Sequence, residues 1–279
     1  MRTLQILLAA LAALAHASPV QNADTTPTFN TSMNGTRTSI PLPLPLRLSQ
    51  ITTMNDLVHT STIPFGISIT HCTVPGTIAL TFDDGPFIYT PQMLDTLSIH
   101  GARCTFFLNG QNKGSIYAFP DLVQRIFAEG HQIGSHTWNH LPLDTLPYPD
   151  IIRQMTALEE AFQHILGFIP TYMRAPYLYT NPVVLQAMTD LGYHVVGASI
   201  DTKDYENDDP GTSWRSFERF KVELDAGGNV VLAHDSHENT VTVLVDNLLG
   251  EIERRGLSPV TIGECLGDPA ELWYRWGGR

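Results

Sequence analysis

From about residue 70 onward, apolar positions fall into two alternating patterns. Short strand-like runs at 77–82, 104–108, 132–135, 172–174, 194–200, 229–232 and 259–262, most of them rich in apolar residues, have the length of buried strands. Between them, apolar residues recur at three- and four-residue steps over 91–100, 120–129, 149–166, 181–191, 213–224 and 241–255. That is the period of a helix with one buried face. The segment 149–166 is the clearest, with Ile151, Met155, Leu158, Phe162 and Ile165 on one stripe. Gly101, Gly130, Gly192 and Gly256 follow the ends of four of these helices, where a left-handed residue closes the last turn. Seven strands alternating with six helices predict an α/β fold. It is a single domain over 70–279, its parallel sheet closed or nearly closed into a distorted (β/α) barrel. An open doubly wound sheet is the alternative. No Gly-x-Gly-x-x-Gly follows any strand, so nucleotide binding has no support.

The first 60 residues follow neither pattern. Arg2 precedes an apolar run over 6–15, and Ala15-His16-Ala17 is a small-x-small cleavage signature. A bilayer span needs about 20 apolar residues, so this run predicts a secretory signal peptide over 1–17 rather than an anchor. Residues 18–60 are expected to form a flexible Thr-, Asn- and Pro-rich leader. Asn30 and Asn34 lie in glycosylation sequons, as an exposed secreted segment allows. No second long apolar run appears, so a soluble, secreted protein of the extracellular space or cell wall is expected; it is also expected to be a monomer.

Charge and cysteines refine this picture. The formal charge of −12 argues against nucleic-acid or anionic-membrane partners, which call for clustered Lys and Arg. Secretion permits disulfides, and there are three cysteines. Cys72 precedes the first strand and Cys265 follows the last, so these two are expected to pair. Cys104 lies inside an apolar strand and is expected to stay reduced.

The unusual polar residues cluster just past strand ends. Asp83 and Asp84 end the first strand and open a Gly-Pro turn; His136-Thr137-Trp138-Asn139-His140 follows the third. Arg174-Ala175-Pro176-Tyr177, Asp201-Thr202-Lys203-Asp204-Tyr205 and Leu232-Ala233-His234-Asp235 end three later strands. Asp, Gly and Pro are also the commonest turn formers, and an isolated His-x-x-x-His pair is ordinary. In a (β/α) barrel, however, all these positions share one rim. His136 and His140, on one helical turn, would point the same way and could share a cation. With a carboxylate on that rim they complete the ligand set of a catalytic zinc site. No Gly-x-Ser-x-Gly elbow is present, which speaks against a serine esterase.

Thr81-Phe82-Asp83-Asp84-Gly85-Pro86, Ser135-His136-x-x-x-His140, Arg174-x-Pro176-Tyr177, Asp201-x-x-Asp204-Tyr205 and Leu232-x-His234-Asp235 resemble the five ordered motifs of the polysaccharide deacetylase family (NodB-homology, carbohydrate esterase family 4). The likeness spans about 70–267, and its ending is similar to that of fungal chitin deacetylases. It implies removal of N-acetyl groups from chitin or chitooligosaccharides. Asp84, His136 and His140 would hold a metal: zinc, with cobalt or another divalent ion as alternatives. Asp83 would be the base that deprotonates the attacking water, with Arg174 keeping it ionised. The Tyr177 backbone N–H would stabilise the oxyanion, and His234 would protonate the leaving amine, oriented by Asp201. Pro176, Tyr205 and Leu232 would line the acetyl pocket. The family usually carries Trp where Tyr205 stands, so the resemblance leaves substrate preference open. An acetylxylan O-deacetylase and a catalytically silent carbohydrate-binding barrel are the alternatives.

Overall fold

The computed structural model describes residues 62–277. The expected signal peptide, the leader and the sequons at Asn30 and Asn34 lie outside the described residues. Strands β1 (Ser68–Ile69) and β2 (Thr77–Asp83) lead into helix α1 (Thr90–Ile99), then β3 (Thr105–Leu108), α2 (Pro120–Ala128) and β4 (Gln132–Ser135). Helix α3 (Tyr148–Leu166) is followed by β5 (Phe168–Pro170), β6 (Tyr172–Met173), α4 (Pro182–Leu191), β7 (His194–Val196) and β8 (Ile200–Asp201). The chain continues through α5 (Trp214–Asp225) and β9 (Val230–His234). A π-turn at Thr240–Leu244 runs into α6 (Val245–Arg254), with β10 (Ser258–Val260), α7 (Ile262–Leu266) and β11 (Tyr274–Trp276) last.

Nine strands form one parallel sheet in the order β1-β7-β6-β4-β3-β2-β9-β8, with β10 beside the start of β2. Gly101, Gly130, Gly192 and Gly256 all adopt positive φ, as expected of residues that end helices. The stripe on α3 is wholly buried, each side chain contributing about 1.5–3 kcal/mol of hydrophobic stabilisation. The bond between Cys72 and Cys265 is formed and Cys104 is free and buried. Cys265 lies inside the short helix α7 rather than beyond regular structure, because Thr261 and Glu264 build a capping box there.

One expected strand is two. The run 194–200 breaks at Gly197-Ala198-Ser199, and its halves lie far apart in the sheet: β7 next to one edge, β8 as the other edge. The four residues from Val196 to Ile200 reach at most about 14 Å, so the sheet must curl until its edges nearly meet. That short link is what makes an open-ordered sheet a barrel. The antiparallel pair of β5 and β11 lies outside this sheet.

Alternation along β2 sets up the site. Thr81 and Asp83 point to the barrel interior, where both contact the Arg174 guanidinium. Residues 78–83 are all buried, as befits a central strand.

Candidate active site

Strand register places the two expected proton-transfer groups side by side, since Asp83 on β2 is the direct partner of His234 on β9. Strict alternation would turn Asp84 away from its neighbour. Instead Asp84 adopts φ 76°, which swings its carboxylate back toward the same cleft. The next residue must be glycine, because a Cβ on Gly85 would fall 2.5 Å from Asp235 Oδ2. Asp235 is fully buried and accepts a 2.5 Å hydrogen bond from Thr90 Oγ1. Burial raises its carboxyl to about 7, against the Thr90 bond and with help from the Asp84 charge.

His136 and His140 meet, but not on a helix. Residues 136–140 form a loop in which Thr137 and His140 take positive φ. The loop is docked on α3 through hydrogen bonds from Trp138 N to Gln154 O (3.0 Å) and Asn139 N to Gln154 Oε1 (3.1 Å). Asn109 Nδ2 also donates to the carbonyls of His136 and Thr137. The imidazole centroids are 4.9 Å apart. His140 Nε2 lies 3.3 Å and His136 Nε2 3.8 Å from Asp84 Oδ1, which also accepts from Asn112 Nδ2 at 2.8 Å. One ligand atom from each of Asp84, His136 and His140 falls within 4.8 Å of the others. His136 Nδ1 donates to the Arg174 carbonyl (2.8 Å), leaving Nε2 with a lone pair toward the cleft. Burial lowers the His136 pKa to about 3, so the ring is neutral, as a metal ligand must be. Two imidazoles and a carboxylate suit zinc or a similar divalent ion.

Arg174 is fully buried and links several parts of the site. Its Nη1 donates to Asp83 Oδ1 (2.9 Å) and Thr81 Oγ1 (2.5 Å), while Nε and Nη2 reach the carbonyls of Val196 and Gly197. Burial pushes the Asp83 carboxyl up; Arg174 and His234 oppose this without cancelling it. Asp83 is therefore more basic than an ordinary aspartate, although the guanidinium favours its ionised form.

The expected partner of His234 is corrected. Asp204, not Asp201, holds the imidazole, with Oδ1 2.8 Å from Nδ1 and Oδ2 accepting from His234 N (2.7 Å) and Thr240 Oγ1 (2.8 Å). Lys203 has φ 55°, and this reversal carries Asp204 inward while Asp201 stays on the rim. Burial opposes charge on His234, but Asp204, then Asp83 and Asp84, lift it to about 9. Asp204 is itself held below the ordinary aspartate value: burial resists ionisation, and His234 and Thr240 overcome it.

Asp201 serves the pocket instead. Its Oδ2 accepts from the Tyr205 hydroxyl (3.2 Å), and Tyr205 stands edge-to-face with His234 at 5.4 Å. The Tyr205 hydroxyl is thus engaged at the rim. Leu232 lines the cleft, Pro176 is buried in a 3-10 turn, and Tyr177 takes φ 60° with its ring 4.7 Å from His140. The cleft holds about 740 Å³. Exposed Tyr179 lines it, whereas Trp138 packs over Gly110, where a Cβ would clash with the indole.

Residues 70–196 match the family model described as polysaccharide deacetylase. A chitin deacetylase of a Pestalotiopsis species is 55% identical over 218 residues, covering 78% of this chain and 73% of that protein. A chitin deacetylase of Arthroderma benhamiae is 49% identical over 215 residues, covering 77% of this chain and 58% of its longer relative. The solved structure of the chitin deacetylase from the fungal pathogen Colletotrichum lindemuthianum superposes with a TM-score of 0.74 at 47% identity, covering 76% of this chain and 97% of that one.

Proposed function

This chain belongs to the polysaccharide deacetylase family, and on that premise we propose that its cleft hydrolyses the N-acetyl groups of N-acetylglucosamine residues in chitin or chitooligosaccharides, releasing acetate. The observation that carries the reading is the register of Asp83 against His234, with the Asp84, His136 and His140 donor set beside it. A base and an acid with separated pKa values on adjacent strands are what amide cleavage requires.

Asp84, His136 and His140 would hold zinc or another divalent cation, which when bound supplies Lewis-acid polarisation and charge neutralisation at the acetyl carbonyl. Asp83, oriented by Arg174, takes a proton from the attacking water. The Tyr177 backbone N–H, carried on its left-handed turn next to His140, donates to the developing oxyanion. His234, kept protonated by Asp204, delivers a proton to the amine nitrogen as the C–N bond breaks. Leu232 and the Tyr205 ring enclose the acetyl methyl group. The signal pattern over 1–17 and the Cys72–Cys265 bond support a secreted, extracellular or cell-wall enzyme. Among the described residues, no helix is long and apolar enough to cross a membrane.

Acetate release from chitopentaose, before and after chelation and after zinc is restored, tests the reading. Zinc-dependent release from chitopentaose exceeding that from acetylxylan is expected; preference for acetylxylan would reassign the substrate. No release from either would reduce the protein to a carbohydrate-binding barrel.

A further inference from the structure

Beside the Asp204–His234 pair stands a second carboxylate–imidazole pair that none of the roles above uses. His237 Nδ1 lies 2.8 Å from Asp208 Oδ2. The other Asp208 oxygen accepts from Asn239 N at 3.1 Å and Asn239 Nδ2 at 3.2 Å. The His237 ring sits edge-to-face with that of His234, centroids 5.6 Å apart, and both rings line the cleft. Because Nδ1 is spent on Asp208, Nε2 is the polar atom His237 has left, and it has no partner among the described residues. An imidazole held through Nδ1 has Nε2 left to hydrogen-bond a ligand. Asp208 thus fixes the His237 ring with one hydrogen-bonding atom to spare at the cleft.

The chemistry of the site fixes what that atom would meet. In amide hydrolysis the leaving nitrogen belongs to the sugar, and His234 must reach that nitrogen. The sugar ring therefore lies on the His234 side of the reacting carbonyl, and the methyl group lies on the other. Of the two cleft rings packed edge-to-face on His234, Tyr205 is taken up by the methyl group, which leaves His237 to the sugar and its hydroxyl groups.

We propose that His237, held by Asp208, is a specificity-determining residue whose Nε2 hydrogen-bonds a hydroxyl group of the sugar bearing the scissile acetamide or its neighbour. The inference rests on the deacetylase reading above and adds to it the side of the cleft on which the polymer is recognised. It requires no proton transfer through His237, which separates it from a relay acting on His234. It also differs from a purely structural role, in which Asp208 would merely tie residues 207–209 to 237–239.

The full-length, zinc-loaded protein tests this with two variants. His237→Phe keeps a ring packed against His234 and removes both nitrogens; His237→Gln restores a polar end. For His237→Phe the KM for chitopentaose should rise about tenfold, the weight of one hydrogen bond to a neutral partner, with a much smaller change in kcat. The ratio of kcat/KM for chitopentaose to that for 4-nitrophenyl acetate, which carries no sugar, should fall by a similar factor, and His237→Gln should recover part of it. Calorimetric titration with chitopentaose should show the same weakening without reference to turnover. An unchanged ratio overturns the proposal, as does a shift in the basic limb of the pH profile without loss of affinity, which would place His237 in a relay. Binding that depends on His237 without acetate release would refute the deacetylase reading alone. Normal turnover with an unaltered KM in His237→Phe would refute this inference alone.

Discussion

Replacing Asp204 by Asn leaves the shape of the acid's support almost intact and removes its charge. In the native protein the Asp204 carboxylate meets His234 at both Nδ1 and the backbone N–H, and burial of the imidazole works against protonation. Raising His234 from 6.5 to about 9 corresponds to about 3 kcal/mol favouring the imidazolium. With Asn at 204 the burial remains and the largest favourable charge is gone, so the pKa should fall to 6.5 or below. At pH 8.5 the protonated fraction would drop from about three quarters to about one hundredth, a rate loss on the order of 50- to 100-fold on an acetamide. A divalent cation at Asp84 cancels part of the negative field and lowers the basic limb in both proteins, so the difference between them is the quantity to measure. The assay is zinc-saturated acetate release from chitopentaose between pH 5 and 10. The basic limb should move down by roughly two and a half pH units in Asp204→Asn and stay in place in Asp201→Asn. A limb unmoved by Asp204→Asn, or moved as far by Asp201→Asn, would refute the assignment of Asp204.

Four further outcomes can be measured. Asp84→Ala should lose bound zinc, read by elemental analysis, and with it activity, while the circular dichroism spectrum is kept; full metal content would remove Asp84 from the ligand set. Arg174→Met leaves Asp83 buried without its cation and should destabilise the fold by about 3–5 kcal/mol in denaturant titration; a change under 1 kcal/mol would mean the pair matters little. Removing the Cys72–Cys265 bond, which closes a separation of 193 residues, should cost about 2–4 kcal/mol in the same measurement. Buried His131 accepts from Cys104 N, and burial lowers its pKa to about 4. Its imidazole stays neutral in the fold while the unfolded chain takes a proton below 6.5. Stability contributed above pH 6.5 is therefore lost as pH falls toward 4, by about 3 kcal/mol, and His131→Asn should flatten that limb of a melting-temperature profile.

Most of the scaffold was legible in local pattern, and the exceptions have specific causes. Helices announced themselves because one buried face imposes a period and a left-handed glycine ends the last turn, as at Gly101 and Gly192. The run 194–200 reads as one strand because a buried strand and a crossing between sheet edges can share one mostly apolar stretch, with only Gly197 and Ser199 to mark the break. The choice of Asp201 rather than Asp204 as the partner of His234 has a similar cause. Both carboxylates belong to one short motif, and the choice between them turns on the left-handed backbone of Lys203, a residue that rarely adopts it. The histidine pair was found by spacing, but the expected helical turn was wrong; a loop tied to Gln154 does the same work. His237 carried a signal too, three residues after His234, yet its partner Asp208 lies 29 positions away in the chain and only the fold joins them.

Arg174 has a consequence for how such a site can change over time. Its backbone carbonyl steers one metal ligand, its guanidinium steers the base, and the same guanidinium bonds the chain where β7 leaves the sheet for β8. Substitutions around His136, Asp83 and Gly197 therefore report to a shared residue, and their effects should combine non-additively in double-mutant cycles. Variation that retunes the base while sparing the metal has little room at the centre of this barrel. Diversity among such enzymes would accumulate on the rim, where loops answer to no common partner.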